Sequence, residues 1–111
     1  MSAIIIYVTS PSNEISKSLA KKLLEKKLAA CVNIFPEISS VFSWEGEIKR
    51  ESESLMMIKS SQSLFEELKE VVKLNHPYKV PEIIATPIID GDKEYLDWLK
   101  NSLKKEEANV Y

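Results

Sequence analysis

The apolar positions of this chain keep two rhythms, one of strands and one of helices. Ala3-Ile4-Ile5-Ile6-Tyr7-Val8-Thr9 is β-branched and continuous rather than alternating, which predicts a strand covered on both faces. Ser10-Pro11-Ser12-Asn13-Glu14 then offers N-cap residues, a proline suited to a first helical turn and an early carboxylate. The helix that follows places Ile15, Leu19, Leu23 and Leu24 on one stripe and a lysine-rich face in water. Leu28 to Phe35 reads as a second strand ended by Pro36, with Ala30, Val32 and Ile34 on one face and Cys31, Asn33 and Phe35 on the other. Ile38 to Trp44 resumes as strand, Glu45-Gly46 supplies a turn, and Glu47-Ile48-Lys49 returns as a hairpin arm. Leu55-Met56-Met57-Ile58 is a second two-sided run and predicts another central strand.

Ser60, Ser61 and Ser63 are candidate caps for a second helix whose stripe is Leu64, Leu68, Val71 and Val72, ending near Asn75. Ile83 to Ile89 reads as a strand, and Pro87 within it points to an edge or a bulge. Asp92 can cap a last helix carrying Tyr95, Leu96, Leu99 and Leu103 with Trp98 beside them, before the charged tail Lys104-Lys105-Glu106-Glu107. The order βαββαβ with a trailing helix predicts an α+β fold of the ferredoxin-like, split βαβ kind, two helices covering one face of an antiparallel sheet. Strands apolar on both faces leave the other side needing a second hydrophobic surface, so an oligomer is expected.

Composition narrows the functional classes. At 111 residues, 44% hydrophobic and 29% charged, the chain reads as a single globular domain over residues 1–111. A net charge of −2 with lysines interspersed among glutamates provides no basic stripe for nucleic acid. The apolar run at residues 3–8 is too short for a membrane span and lacks the flanks of a secretory signal, so the cytoplasm is the expected location. One cysteine, Cys31, forms no internal disulfide.

The densest chemistry lies in His76-Pro77-Tyr78-Lys79-Val80-Pro81-Glu82, which holds the only histidine and two of the five prolines. The prolines steer His76 and Val80 away from helix, giving a stiff loop that is either a binding element or a plain connection between helix and strand. One Cys and one His exclude a closed zinc cage within one chain. A sparse set drawn from His76, Glu82, Glu53 or Cys31 would favour copper(II) over other divalent first-row ions without being built for it. His76 as acid or base with Cys31 as nucleophile would need the two within hydrogen-bond reach and a third group to orient the ring, and the sequence shows neither.

Thr9-Ser10-Pro11, Leu28-Ala29-Ala30-Cys31-Val32-Asn33, Trp44-Glu45-Gly46, Glu53, Lys59, the His76 to Glu82 loop and Tyr95-Leu96-Asp97-Trp98 together resemble the CutA divalent-cation tolerance family. The resemblance spans nearly the whole chain. It implies a ferredoxin-like protomer in a compact homotrimer of PII-like architecture, associated with copper and other divalent cations. It departs at Phe42 and Ser43, where the family commonly carries a tyrosine and a further aromatic residue. By analogy with PII proteins, Lys59, Glu53, Tyr78 and Trp44 would line small-ligand clefts between subunits, while His76, Cys31 and Glu82 are the candidate metal ligands. A scaffold for other proteins, with the loop locking subunits together, fits the same residues.

Overall fold

The structure, a computed structural model, describes residues 2–105. Glu106 and Glu107 of the expected charged tail lie outside the described residues. The elements run β1 (Ala3–Ser10), α1 (Asn13–Glu25), β2 (Cys31–Trp44), β3 (Glu47–Ser61), a 3-10 turn (Gln62–Leu64), α2 (Phe65–Asn75), β4 (Ile83–Pro87) and α3 (Lys93–Ser102). The four strands form one antiparallel sheet in the order β2-β3-β1-β4, the expected ferredoxin-like topology. Pro87 ends the edge strand β4, where a missing N–H is tolerated.

Alternation along β1 and β3 sorts the sheet into two faces. Ile4, Ile6, Val8, Met56 and Ile58 are buried beneath the helices, where Leu19 and Leu23 of α1, Leu68 and Val72 of α2 and Leu99 of α3 complete one core. On the opposite face the cross-strand rows are Cys31–Lys59–Ile5–Thr86, Asn33–Met57–Tyr7–Ile84 and Phe35–Leu55–Thr9. The middle of that face is therefore apolar and no element of the described chain covers it, with Phe35 and Ile84 about half exposed.

Several local expectations change. Ser12, one of the N-cap residues the sequence offers, caps α1 with its hydroxyl accepting from the Ile15 N–H at 3.2 Å, so Pro11 sits just before the cap and not in the first turn. Leu28 to Ala30 is not strand: Lys27 turns the chain out of α1 with φ 56°, Leu28 N–H donates to Leu23 O at 2.9 Å, and Lys27 N–H to Leu24 O at 3.0 Å. This is a Schellman ending with lysine in the place glycine usually takes, fastened by the buried Leu23 and Leu28 side chains. Pro36 does not end β2. Phe35 pairs with Leu55 and Ile38 with Glu53, so β2 carries one surplus residue, a β-bulge that accommodates the proline on an edge strand. The arm strand and the central strand beyond the turn are likewise one strand, β3; in its polar middle Arg50 to Ser52 are exposed, while the buried Glu53 and Ser54 are hydrogen-bonded to the Tyr78 hydroxyl and the Phe35 carbonyl.

Ser61 precedes the 3-10 turn without a side-chain capping bond, and α2 starts only at Phe65. Asp92 caps α3 as expected, accepting from Tyr95 N–H at 3.1 Å. No helix among the described residues is long and apolar enough to cross a membrane.

Candidate functional site

The loop after α2 is pinned through its histidine. His76 takes φ −102° and ψ 136°, the extended conformation that Pro77 demands of its predecessor, and this turns the ring inward until the residue is only 8% exposed. Its Nδ1 accepts from the Tyr78 backbone N–H at 3.1 Å, which leaves Nε2 to carry the proton and donate to the Thr9 carbonyl at 2.7 Å. The Tyr78 ring tilts against the imidazole, centroids 4.9 Å apart, and its hydroxyl donates to Glu53 Oε2 at 3.1 Å. Burial, together with the charge and hydrogen bond of Glu53 and the charge of Glu51, pushes the phenol up to about 12.

Thr9, His76, Tyr78 and Glu53 thus form one chain of hydrogen bonds across three elements. Its position is specific. Ser10 and Ser54 are the last β1–β3 pair, and Glu53 belongs to the first β2–β3 pair beyond the bulge. The network therefore stands where the two-stranded arm leaves the sheet.

A second cluster lies at the other end of the open face. Cys31 and Lys59 are cross-strand partners, the Lys59 ammonium donates to Asn33 Oδ1, and the Cys31 thiol lies 3.9 Å from the same oxygen. Burial and, after it, the negative charge of Cys31 raise the phenol pKa of Tyr95 in α3, whose ring packs on Trp98 with centroids 5.5 Å apart.

The structure brings His76, Tyr78 and Glu53 together and joins Cys31 to Lys59, but it keeps the two groups apart. Glu53 and Lys59 lie six positions apart along β3, about 20 Å of strand. Glu82 is exposed in the loop without an ion-pair partner among the described residues, and Trp44 is half exposed at the arm's tip. The expected metal set of His76, Cys31 and Glu82 does not assemble within one protomer, and among the described residues no group of three His, Cys, Asp or Glu is placed to hold an ion. Both nitrogens of His76 are already engaged, so coordination through it would displace a backbone partner.

Thr9 and Tyr95 stand in motifs named from the sequence, but their places beside the two clusters are not foreseen from it, for physical reasons. Thr9 acts through its carbonyl, which no side-chain pattern reveals, and the influence of Cys31 on Tyr95 depends on tertiary structure. Neither the cavity lined by Ser61, Leu64 and Lys100 nor the one lined by Ile4, Pro87 and Leu96 touches the His76 loop or Cys31. The His76 network is largely buried, while the Cys31–Lys59 edge is partly exposed.

Comparison with known proteins gives a consistent assignment. The CutA1 divalent ion tolerance protein family matches residues 4–102. The chain is 53% identical over 102 residues to the chloroplastic protein CutA of Arabidopsis thaliana, covering 92% of this chain but only 56% of that protein's length. It is 47% identical over 98 residues to the divalent-cation tolerance protein CutA of Thermus thermophilus, covering 88% of this chain and 95% of that protein. The crystal structure of CutA1 from Oryza sativa superposes with a TM-score of 0.93 at 49% identity, covering 96% of this chain and 97% of that one. These relatives are named for cation tolerance or by family, not for a reaction.

Proposed function

The chain belongs to the CutA1 divalent ion tolerance family, and on that premise we propose that it is a homotrimeric binding or regulatory protein of divalent-cation homeostasis, not an enzyme. The observation that carries the assembly is the uncovered sheet face. Ile5, Tyr7, Leu55 and Met57 form a continuous apolar surface, and the two-stranded arm beyond Glu53 is marginal until something packs on it. A second and third copy would cover both and turn the Cys31–Lys59 edge and the Glu53–Tyr78 network into walls of intersubunit clefts.

In such a trimer each ligand occurs three times, so Cys31 and Glu82 from different copies, with His76 after displacement of a backbone partner, would complete a site that one protomer lacks. The cation would be bound weakly, with copper(II) ahead of other first-row ions because nitrogen, oxygen and sulfur donors rank it so. Lys59, Tyr78, Glu53 and Trp44 would serve a small ligand in the same clefts. A cytoplasmic location fits the lone cysteine, although the Arabidopsis relative is named chloroplastic.

Calorimetric titration with copper(II) of the wild type, Cys31→Ala and His76→Ala tests the metal reading, and light scattering of dilute protein tests the assembly. Weakened copper binding in Cys31→Ala supports the first. Unchanged affinity in both variants rejects these residues as ligands, and a monomer removes the clefts altogether. A second reading, a scaffold or PII-like signalling trimer without a metal role, is favoured by the full occupancy of both His76 nitrogens, which suits a lock better than a ligand.

A further inference from the structure

The arm leaves the sheet at a joint that is weak in the ladder. β1 pairs with β3 only as far as Ser10–Ser54, and from Ile38–Glu53 outward β2 and β3 have each other alone. Between those pairs lies the bulge, and within it Pro36 has no N–H to give to the partner strand. The side-chain bond that spans it runs from the Ser54 hydroxyl to the Phe35 carbonyl at 3.3 Å. A two-stranded ribbon joined to a larger sheet through a bulge can bend there without breaking the ladder on either side.

The loop after α2 bridges this joint. His76 fixes it to the Thr9 carbonyl on the sheet side, and the Tyr78 hydroxyl reaches Glu53, the first paired residue of β3 on the arm side, at 3.1 Å. Among the described residues this is the one hydrogen bond between residues 38–53 and any element other than the arm's own two strands. A loop that only had to join α2 to β4 would be secured by His76 alone. The second tie, to the arm, has no part in that connection.

The tie is also finely balanced. Glu53 is buried, and a carboxylate can accept about four hydrogen bonds, of which Tyr78 supplies one. Burying a carboxylate forfeits its hydration, and one phenol returns only part of that. Glu53 stands at the base of an exposed arm, so parting from Tyr78 gives the carboxylate back to water and offsets the lost bond. Closed and open states of this contact therefore lie nearer in free energy than those of an apolar contact buried to the same degree.

We propose that the Tyr78–Glu53 hydrogen bond is a latch: closed, it holds the arm in one orientation to the sheet, and open, it frees the arm to turn about the bulge as a unit. All four groups of the network lie in one protomer, so the device stands apart from the assembly proposed above. Turning the arm carries Phe42, Trp44 and Ile48 with it, the exposed apolar side chains nearest its tip. The latch thus governs where that surface is presented.

Amide nitrogen relaxation measured by NMR on the full-length protein tests this, with order parameters reading fast motion and relaxation dispersion reading the microsecond to millisecond range. In wild type, residues 38–44 and 47–52 should match the sheet, with order parameters of about 0.85. Tyr78→Phe keeps the ring beside the imidazole and removes only the hydroxyl. In it the arm values should fall together toward about 0.6, or dispersion should appear across the arm as a block, while β1 and α1 keep theirs. Fraying would instead grow toward the turn at Glu45-Gly46. Glu53→Ala should reproduce the effect, and Tyr78→Phe/Glu53→Ala should exceed neither single variant, because both remove the same contact. An arm unchanged on both timescales in either variant overturns the proposal. So does a change that spreads equally into α1 and α2, that grows only toward the turn, or that adds in the double variant.

Discussion

Replacing His76 by alanine measures how strongly the loop is fastened to the sheet. The substitution removes two hydrogen bonds, from Nε2 to the Thr9 carbonyl and from the Tyr78 N–H to Nδ1. Each is worth about 1 kcal/mol net, and leaving a buried group such as the Thr9 carbonyl, in a residue 8% exposed, short of a partner costs about 1–3 kcal/mol. Water reaching the Tyr78 N–H offsets part of this, so the expected loss is about 2–4 kcal/mol. At about 4 °C per kcal/mol for a domain of this size, the melting temperature should fall by about 8–16 °C. His76→Gln carries an amide N–H that can reach toward the same carbonyl, and it should lose about half as much. The assay is urea or thermal unfolding of wild type and both variants at one protein concentration, because assembly would add to the apparent stability. A loss below about 0.5 kcal/mol in His76→Ala, the size of a neutral surface change, would refute the idea that the imidazole anchors the loop.

Other outcomes follow from the same geometry. Tyr78 ionises near 10 when unfolded and at about 12 in place, so the neutral phenol favours the folded state below pH 10 and that contribution fades between pH 10 and 12. Stability across that window should fall more steeply in wild type than in Tyr78→Phe, as read by unfolding at each pH. Ile58→Ala empties a fully buried position in β3 and should cost about 2–5 kcal/mol in urea unfolding. Met57→Glu sets a charge in the middle of the open face and should convert the proposed trimer to folded protomers in sedimentation, whereas an unchanged oligomer would show that this face is not the interface.

The elements of the fold were legible wherever periodicity was strong, as in the two-sided runs of Ile4 to Val8 and Leu55 to Ile58. Continuity was not. Pro36 and the polar residues 50–54 read as interruptions because propensity is local, while a bulge and an exposed two-stranded arm are decided by the partner strand. Lys27 hid the end of α1, since a non-glycine residue with positive φ leaves no mark in composition. Of the site, the loop was conspicuous because its proline, histidine and tyrosine are adjacent. Its partner Glu53 sits 23 residues before His76, and only the strand register shows that it, rather than Glu82, lies beside Tyr78. Cys31 and Lys59 were both visible as candidates, and again the pairing of β2 with β3 is what makes them neighbours.

The surplus residue in β2 also bears on how this chain tolerates insertions and deletions. The turn at Glu45-Gly46 sets the register of the arm, β1 sets the position of β3 in the sheet, and the two numberings meet between Phe35 and Ile38. Losing one residue there would leave Phe35 opposite Leu55 and Ile38 opposite Glu53, and would straighten the ladder without moving either half. Losing one between Ile38 and Trp44 would turn part of the arm to the opposite face, because side chains alternate with a period of two. The bulge is therefore a seam at which sheet and arm can change length independently, so the arm can be shortened or exchanged as a cassette while the sheet keeps its own frame.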